Sequence, residues 1–399
     1  MTELGTRPTT VPDAGALAGL RVVEMGFAAA GPLVGKYLAN FGAEVIRLES
    51  RLAADVFRST YPPFKNGVVD ADHAGMFAFY NDGKMSASLN LKHPNGKALA
   101  RALIAQADVF VESFTPGTVA RLGLDAASLR AESPRLIILS SCNQGQTGPH
   151  AFHPGYGSQL TALAGFVQLL GDPDSTPVLL YGPYIDYIAV GYGAIAVLAA
   201  LERRKRTGAG CVIDLSQYEA GLQFLTPAIL EFAATGRIPQ RNGNADPVAS
   251  PHGVYRCAGP DRWVALSAWN DPERRTLRDA IDAEGPDLDA SVSAWTATRP
   301  RDDVVATLRA AGVRVAPVQS ISELFADPQL AHRGMWPRVT HPAIGQMRLM
   351  APPFRLSATP SRQERPGPVF GADNDHVFGE LLGLTGEERR SLARDGVFE

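Results

Sequence analysis

Short apolar segments alternate with helix-like segments along the first two hundred residues. Residues 20–25 (LRVVEM) and 44–48 (EVIRL) are rich in β-branched and long apolar side chains, which is typical of buried strands. Pro32 suits the first turn of a helix between them that would end near Asn40. The alternation recurs, with a helix predicted at 96–106 and strands at 108–112, 136–140 and 211–215. Because β-α-β units cross over in the right-handed sense, the pattern predicts an open α/β sheet of parallel strands.

The second half of the chain has a different pattern. Two short strands at 253–256 and 262–267 are spaced as a hairpin, and helices are predicted at 272–283 and 301–311. Two further helices are predicted at 375–384 and 386–393. We therefore divide the chain into a large α/β domain (17–205), a linker (206–225), a small α+β domain (226–330) and a C-terminal segment (331–399). Residues 1–16 are interpreted as a mobile arm.

An uncharged apolar run of 14 residues, 188–201, lies within a helix predicted at 187–206. The run is shorter than the ~20 residues that cross a bilayer, so we expect a buried core helix and no membrane contact. Four cations at 203–206 followed by Gly208 are typical of the last turn of a helix. The formal net charge of −3 provides no general attraction for nucleic acid.

The three cysteines lie far apart and form no C-x-x-C pair. This spacing indicates a reducing compartment and predicts neither a disulfide framework nor a metal site. Residues 1–16 lack the apolar stretch of a signal peptide. Together these features predict a cytoplasmic protein.

Asp186 directly precedes the long apolar run. An aspartate in that position commonly caps a helix by accepting backbone N–H bonds. The same position also suits a carboxylate nucleophile, because a helix N-terminus stabilises an anion. The pattern alone leaves both interpretations open.

Two other features suggest chemistry only weakly. Gly26, Gly31 and Gly35 line the first βα turn, and Glu49 follows where a dinucleotide-binding fold places an acid for a ribose hydroxyl. The glycine spacing departs from the fingerprint, so close helix–sheet packing is the favoured interpretation and NAD binding the minor one. His150 and His153 are spaced as metal ligands could be, but without a third ligand nearby we place them at a pocket rim.

Motifs distributed along the chain are similar to those of the class III CoA-transferases of the CaiB/BaiF type, which include formyl-CoA transferase, carnitine CoA-transferase and α-methylacyl-CoA racemase. They are residues 17–24 (LAGLRVVE), 30–32 (AGP), 41–49 (FGAEVIRLE), 81–84 (NDGK), 89–92 (LNLK), 107–117 (ADVFVESFTPG), 145–149 (GQTGP), 206–210 (RTGAG) and 352–357 (PPFRLS). The resemblance implies a discontinuous Rossmann-like large domain (17–205), to which residues 331–399 return as a linker and C-terminal part, plus a small α+β domain, in an interlocked homodimer.

The resemblance also implies the chemistry. Asp186 would be the nucleophile that forms an aspartyl anhydride and then an aspartyl-CoA thioester. Coenzyme A would enter as a CoA-ester substrate, with no tightly bound cofactor and no metal, and a carboxylic acid would accept it. The residues implied for CoA binding are Ala28, Ala29, Ala30, Arg51, Lys84, Leu89, Lys92, Ser113, Phe114 and Arg121. The residues implied for the substrate pocket are Asn143, Gln144, Tyr156, Tyr184 and Tyr187.

The acceptor and donor stay open at this point. Four tyrosines, at 181, 184, 187 and 192, surround Asp186 in sequence and favour a bulky or aromatic acid, with succinyl-CoA as a candidate donor. A racemase is the first alternative, but Tyr156 stands where the racemases carry a histidine. A subunit of a heteromeric CoA-transferase is the second alternative.

Overall fold

The computed structural model describes residues 15–399. The predicted mobile arm falls outside these residues except for its last two positions. The chain divides into two compact units. The large unit comprises the described residues up to 165 together with 180–229 and 332–399, and the small unit comprises 166–179 and 230–331.

A six-stranded parallel sheet forms the centre of the large unit, in the order β3-β2-β1-β4-β5-β6. Its strands are β1 (Arg21–Met25), β2 (Glu44–Glu49), β3 (Met85–Ser88), β4 (Val109–Glu112), β5 (Ile137–Cys142) and β6 (Val212–Ser216). The predicted parallel α/β sheet is therefore confirmed, and five of these six strands were predicted to within two residues. The exception, β3, has no apolar run that could predict it.

Helices cover both faces of this sheet, as a parallel sheet requires. They belong to the series α1 (Ala30–Asn40), α2 (Val56–Ser59), α3 (Gly75–Tyr80), α4 (Pro94–Ala105), α5 (Thr118–Arg121), α6 (Ala126–Glu132), α7 (Gly157–Leu163), α8 (Tyr184–Thr207), α9 (Gln217–Leu222), α10 (Thr226–Thr235), α11 (Asp271–Ala280), α12 (Leu288–Ala297), α13 (Arg301–Ala310), α14 (Ile321–Ala326), α15 (Pro328–His332) and α16 (Gly386–Arg394). On one face, α1 and α8 bury Val34, Val190 and Val197 against the strands.

The other face of the sheet is covered by α4, α6 and the C-terminal segment. Val377 and Phe378, in a π-helical turn at Asp375–Leu381, pack with Leu103 and Ile104 of α4. The backbone N–H of Asn90 donates to the carbonyl of Val397 at 2.8 Å. Residues after 370 therefore complete the core of the large unit.

The small unit has its own core. Its antiparallel sheet comprises β7 (His252–Arg256), β8 (Trp263–Ser267) and β9 (Arg314–Pro317), and the predicted hairpin is the β7–β8 pair. Leu277 of α11 and Leu308 of α13 are buried against Val264 and Leu266 of β8. A second antiparallel pair, β10 (Arg338–His341) and β11 (Gly345–Arg348), belongs to the large unit.

Helix α8 begins three residues earlier than predicted and ends at Gly208, whose φ of 73° suits a glycine cap. In the described residues it is the one helix long and apolar enough to cross a membrane, by length and composition. The prediction of a buried core helix holds for one side of α8, which packs in the core through Val190, Val197 and Ala200, while the other side is exposed. Ile195 and Leu198 are 64% and 45% exposed.

Candidate active site

Two adjoining cavities lie beyond the carboxyl ends of the parallel strands. The larger, here called the Asp186 cavity, has a volume of about 470 Å³. Its walls are the segments that follow β1, β4 and β5, together with the 151–157 loop and Asp186. The sheet order reverses between β1 and β4, and ligands of open α/β sheets bind at such a switch point.

Asp186 lies in the first turn of α8. The capping interpretation is wrong, since the helix is capped at Pro183 and no side chain makes a capping hydrogen bond there. Among the described residues lining this cavity, Asp186 is the only one with a carboxylate. Burial raises the pKa of its carboxyl to about 7. Near neutral pH a large fraction of Asp186 is thus ionised but poorly solvated, which favours nucleophilic attack.

The start of α7 packs directly against the Asp186 carboxylate. A Cβ placed on Gly157 would lie 2.5 Å from Asp186 Oδ1 and 2.5 Å from Pro183 Cβ. Only a glycine leaves room for the carboxylate here. Gly157 therefore fixes the position of Asp186 by close backbone approach.

The turn after β1 and the segment after β4 form one part of the lining of the Asp186 cavity. Ala28, Ala29, Ala30, Ser113 and Phe114 all line it, so the structure brings together half of the predicted CoA-binding residues. Ser113 Oγ is buried and makes no hydrogen bond within the described chain, and it lies so close to Gly26 and Gly31 that a Cβ on them would be 2.1 and 2.8 Å away.

The smaller cavity, here called the Leu89 cavity, has a volume of about 260 Å³. Leu89 and Lys92 line it, and Phe27, Phe114 and Thr118 line both cavities. The Phe27 and Phe114 rings meet edge to face, with centroids 5.4 Å apart and an interplanar angle of 84°. This aromatic pair marks the junction of the two cavities.

Two predicted cations lie beside the Leu89 cavity rather than in its wall. Arg51 is exposed, and its guanidinium lies 4.5 Å from the centroid of the Phe370 ring. Its neighbours in the chain, Ser50 and Leu52, line the cavity. Arg121 donates from Nη2 to Thr118 Oγ1 at 2.9 Å. Exposed Lys92, by contrast, lines the cavity itself.

Lys84 does not belong to either cavity, and its predicted phosphate contact is wrong. Its side chain is completely buried, and Nζ donates to Glu24 Oε1 at 2.6 Å, to the Pro32 carbonyl at 2.6 Å and to Asn81 Oδ1 at 2.8 Å. Burial lowers the pKa of its ammonium to about 8. All three donors of this ammonium are used inside the core, so none can reach a phosphate.

Glu49 is also engaged, which removes the ribose acceptor that NAD binding required. Its two carboxylate oxygens accept from Arg58 at 2.7 and 2.8 Å, and Ser86 Oγ donates to Oε1 at 2.6 Å. The ion pair with Arg58 lowers the pKa of this carboxyl against the opposing effect of burial.

Of the five predicted substrate-pocket residues, only Asn143 and Tyr156 line the Asp186 cavity. Tyr184 and Tyr187 do not line it, and the Tyr187 hydroxyl instead lies 2.6 Å from that of Tyr80. Gln144 also lies outside the lining. The expectation of a tyrosine-rich pocket is therefore not met within the described residues.

The lining also includes residues that were not predicted as site residues, among them Phe27, Cys142, His153 and Gln217. Burial raises the pKa of the Cys142 thiol to about 12, so this cysteine is not a nucleophile near neutral pH. His153, predicted at a pocket rim, is the only side chain in the cavity's described lining that can carry a positive charge. Its ring is stacked at a tilt on His150, with centroids 4.6 Å apart.

Comparisons with known proteins find similar sequences and a similar fold along nearly the whole chain. A model of the family described as CoA-transferase family III matches residues 17–374. The alpha subunit of succinyl-CoA–L-malate CoA-transferase from Chloroflexus aurantiacus is 32% identical over 98% of this chain and 94% of its own length. Succinate–glutarate CoA-transferase from Agrobacterium fabrum is 34% identical over 92% of this chain and 95% of its own. The crystal structure of a CAIB/BAIF family protein from Brucella suis superposes with a TM-score of 0.84 at 30% identity, over 92% of this chain and 100% of that one.

Proposed function

The chain belongs to CoA-transferase family III, and we propose that it transfers CoA from an acyl-CoA to a free carboxylic acid through covalent intermediates on Asp186. The observation that carries this proposal is the position of Asp186. It is the one carboxylate in the described lining of a 470 Å³ cavity, and its pKa is raised to about 7.

The reaction requires four acyl substitutions. An Asp186 oxygen attacks the donor thioester carbonyl, the C–S bond breaks, and CoA thiolate leaves from a mixed anhydride. The thiolate attacks the Asp186 carbonyl, which releases the donor as a carboxylate and leaves an aspartyl-CoA thioester. An acceptor carboxylate attacks that thioester and again frees the thiolate. The thiolate then attacks the acceptor carbonyl, so that the acceptor leaves as its CoA ester and Asp186 is regenerated with no net proton transfer.

CoA fits the two adjoining cavities as an extended ligand. We place the pantetheine arm past the Phe27–Phe114 pair in the Asp186 cavity, with the thioester beside Asp186. The nucleotide then lies by the Leu89 cavity, where Arg51, Lys92 and Arg121 supply charge for its phosphates.

The acceptor is proposed to be a dicarboxylic acid, with succinyl-CoA as donor. The relatives are named for succinate, malate and glutarate. In this chain, one carboxylate of such an acid would react at Asp186, and the remote carboxylate would be met by His153 in the same cavity. A histidine can pair with an anion when protonated and donate a hydrogen bond when neutral.

We further propose a cytoplasmic dimer in which a second subunit covers the exposed side of α8. Ile195 and Leu198 form part of an apolar surface that a soluble protein rarely leaves uncovered. An interlocked homodimer would meet this need, as would a heteromer, since one relative is named as an alpha subunit. In either assembly this chain carries the nucleophile and is the catalytic subunit.

A matrix of acyl-CoA donors and free acids, read by mass spectrometry, tests the activity. We expect CoA exchange between succinyl-CoA and C4–C5 dicarboxylates, and hydroxylamine added during turnover should convert Asp186 to a hydroxamate. Asp186→Asn should abolish both signals and keep CoA binding. Full exchange by Asp186→Asn would refute the mechanism. Deuterium uptake at the α-carbon of a 2-methylacyl-CoA without any acceptor acid would instead indicate a racemase.

A further inference from the structure

A buried ion pair lies directly beneath the turn that separates the two cavities. Arg47 of β2 and Asp55, just before α2, are 1% and 3% exposed, and Arg47 Nη2 pairs with Asp55 Oδ2. Neither residue is needed for the covalent chemistry. Both line the Leu89 cavity.

The two residues of the pair are hydrogen-bonded to the two ends of the 26–28 backbone. Arg47 Nη2 also donates to the Gly26 carbonyl at 2.7 Å. The Ala28 N–H is shared between the Asp55 oxygens, at 3.3 Å from Oδ1 and 3.2 Å from Oδ2. The segment between these two anchors is Phe27, whose ring faces Phe114 at the cavity junction.

The segment held in this way has an unfavourable backbone conformation. Ala28 has a φ of 59°, in the left-handed region, which costs a residue with a Cβ roughly 1–2 kcal/mol. Gly26, at φ 156°, approaches Ser113 so closely that a Cβ on it would lie 2.1 Å from Ser113 Oγ. A strained conformation persists only where its surroundings impose it.

We propose that the Arg47–Asp55 ion pair positions the 26–28 segment for CoA binding by holding Ala28 in its left-handed conformation and Phe27 at the cavity junction. The inference rests on the proposed function, because it assigns these residues a role in a CoA site. Arg47 and Asp55 are positioning residues, since they act on CoA through the backbone of Gly26 and Ala28.

The decisive experiment measures the dissociation constant of free CoA by isothermal titration calorimetry on the full-length assembled protein. Asp55→Asn keeps the side-chain shape and removes the charge that faces the 26–28 segment, while Glu24 and Glu49 still pair with Arg47. If the segment then relaxes, the binding-competent fraction falls, and the dissociation constant should rise roughly five- to thirtyfold. Asp125→Asn is the matched control, because Asp125 also caps a helix, through Ser128 N–H, but lines neither cavity.

Rescue separates positioning from general destabilisation. Ala28→Gly removes the cost of the left-handed conformation, so the double variant Asp55→Asn/Ala28→Gly should regain about threefold or more of the lost CoA affinity. A purely structural loss would leave the double variant as weak as Asp55→Asn. An unchanged dissociation constant in folded Asp55→Asn, or no rescue, would overturn the inference.

If Asp55→Asn fails to fold, substitutions of Ala28 alone test the inference with the ion pair intact. Ala28→Val should weaken CoA binding more than Ala28→Asn, because asparagine tolerates the left-handed region and valine does not. Equal effects of these two substitutions would overturn the inference. If the wild-type protein itself binds no CoA, the proposed function fails, which is a distinct outcome.

Discussion

Gly157→Ala tests whether the packing of α7 sets the position of the nucleophile. The added Cβ would lie 2.5 Å from both Asp186 Oδ1 and Pro183 Cβ, whereas ordinary contact begins at 3.4 Å. Each of these two distances is 0.9 Å too short (3.4 − 2.5), so a shift of the Cβ away from one neighbour shortens its distance to the other. Since Pro183 caps α8, the helix start resists movement and the Asp186 carboxylate is the group expected to move.

A misplacement of about 1 Å in a reacting group costs roughly 10²-fold in rate. We therefore expect Gly157→Ala to lower kcat by about two orders of magnitude, measured by mass spectrometry of CoA exchange at saturating donor. Overpacking of this kind destabilises by about 1–3 kcal/mol, so thermal unfolding should show a folded protein with a reduced Tm. The KM for the CoA donor should change less than kcat, because Gly157 does not line the Leu89 cavity, where the nucleotide of CoA is placed.

Gly285→Ala is the matched control, because the nearest atom to its added Cβ is Ser291 Oγ at 3.8 Å, an ordinary contact. It should leave kcat and KM at their wild-type values. A folded Gly157→Ala variant that keeps more than a third of the wild-type kcat would refute the argument. That result would mean that Asp186 is free to adjust its position without loss of reactivity.

Four further predictions follow from the same structure. Because burial raises the pKa of Asp186 to about 7, kcat/KM should rise with pH through a midpoint near 7; a flat profile from pH 5 to 9 would contradict this. Because the pKa of Asp186 is higher in the folded protein than in the unfolded chain, where it is about 4, the ionised carboxylate destabilises the fold above pH 7 and this penalty disappears as the pH falls to 4. Asp186→Asn should therefore have a higher Tm than wild type at pH 8 and lose that advantage by pH 4. His153→Gln should raise KM about tenfold for dicarboxylate acceptors and little for monocarboxylates of equal length, whereas equal effects on both would exclude a remote-carboxylate contact. Ile195→Asp should reduce the sedimentation coefficient to that of a monomer, with exposed Lys205→Asp as the surface control.

The sheet was largely predictable because buried parallel strands are short continuous apolar runs, which the sequence displays directly. Strand β3 was not predicted because its residues, Met-Ser-Ala-Ser, contain no continuous apolar run. Its burial results from pairing with β2 and from the C-terminal segment, as in the bond from Ser88 N–H to Asn374 Oδ1 at 2.8 Å. That contact joins residues 286 positions apart, and no local pattern can indicate it.

The candidate site was only partly predictable, for geometric reasons. An aspartate at the start of a helix looks like a cap, and it was family resemblance that pointed to its chemistry. Successive residues of a helix are rotated by about 100°, so Tyr187 and Tyr184 cannot share the direction of Asp186 although they adjoin it in sequence. Lys84 follows a polar turn that is typical of a surface, while its partner Glu24 lies 60 residues away.

The C-terminal closure of the large unit has a consequence for how the protein is made. Asn90, which lines the Leu89 cavity, bonds through its backbone N–H to Val397 and through Nδ2 to the Gly396 carbonyl, across 306 residues in the latter case. During synthesis, the small unit can therefore bury its own core before this wall of the cavity is complete. Contacts of such long range slow folding. In a nascent chain, the sheet face that the C-terminal segment covers would therefore stay exposed to solvent until residue 397 leaves the ribosome. Expression at low temperature or with a chaperone should increase the CoA-binding fraction more than the total soluble yield.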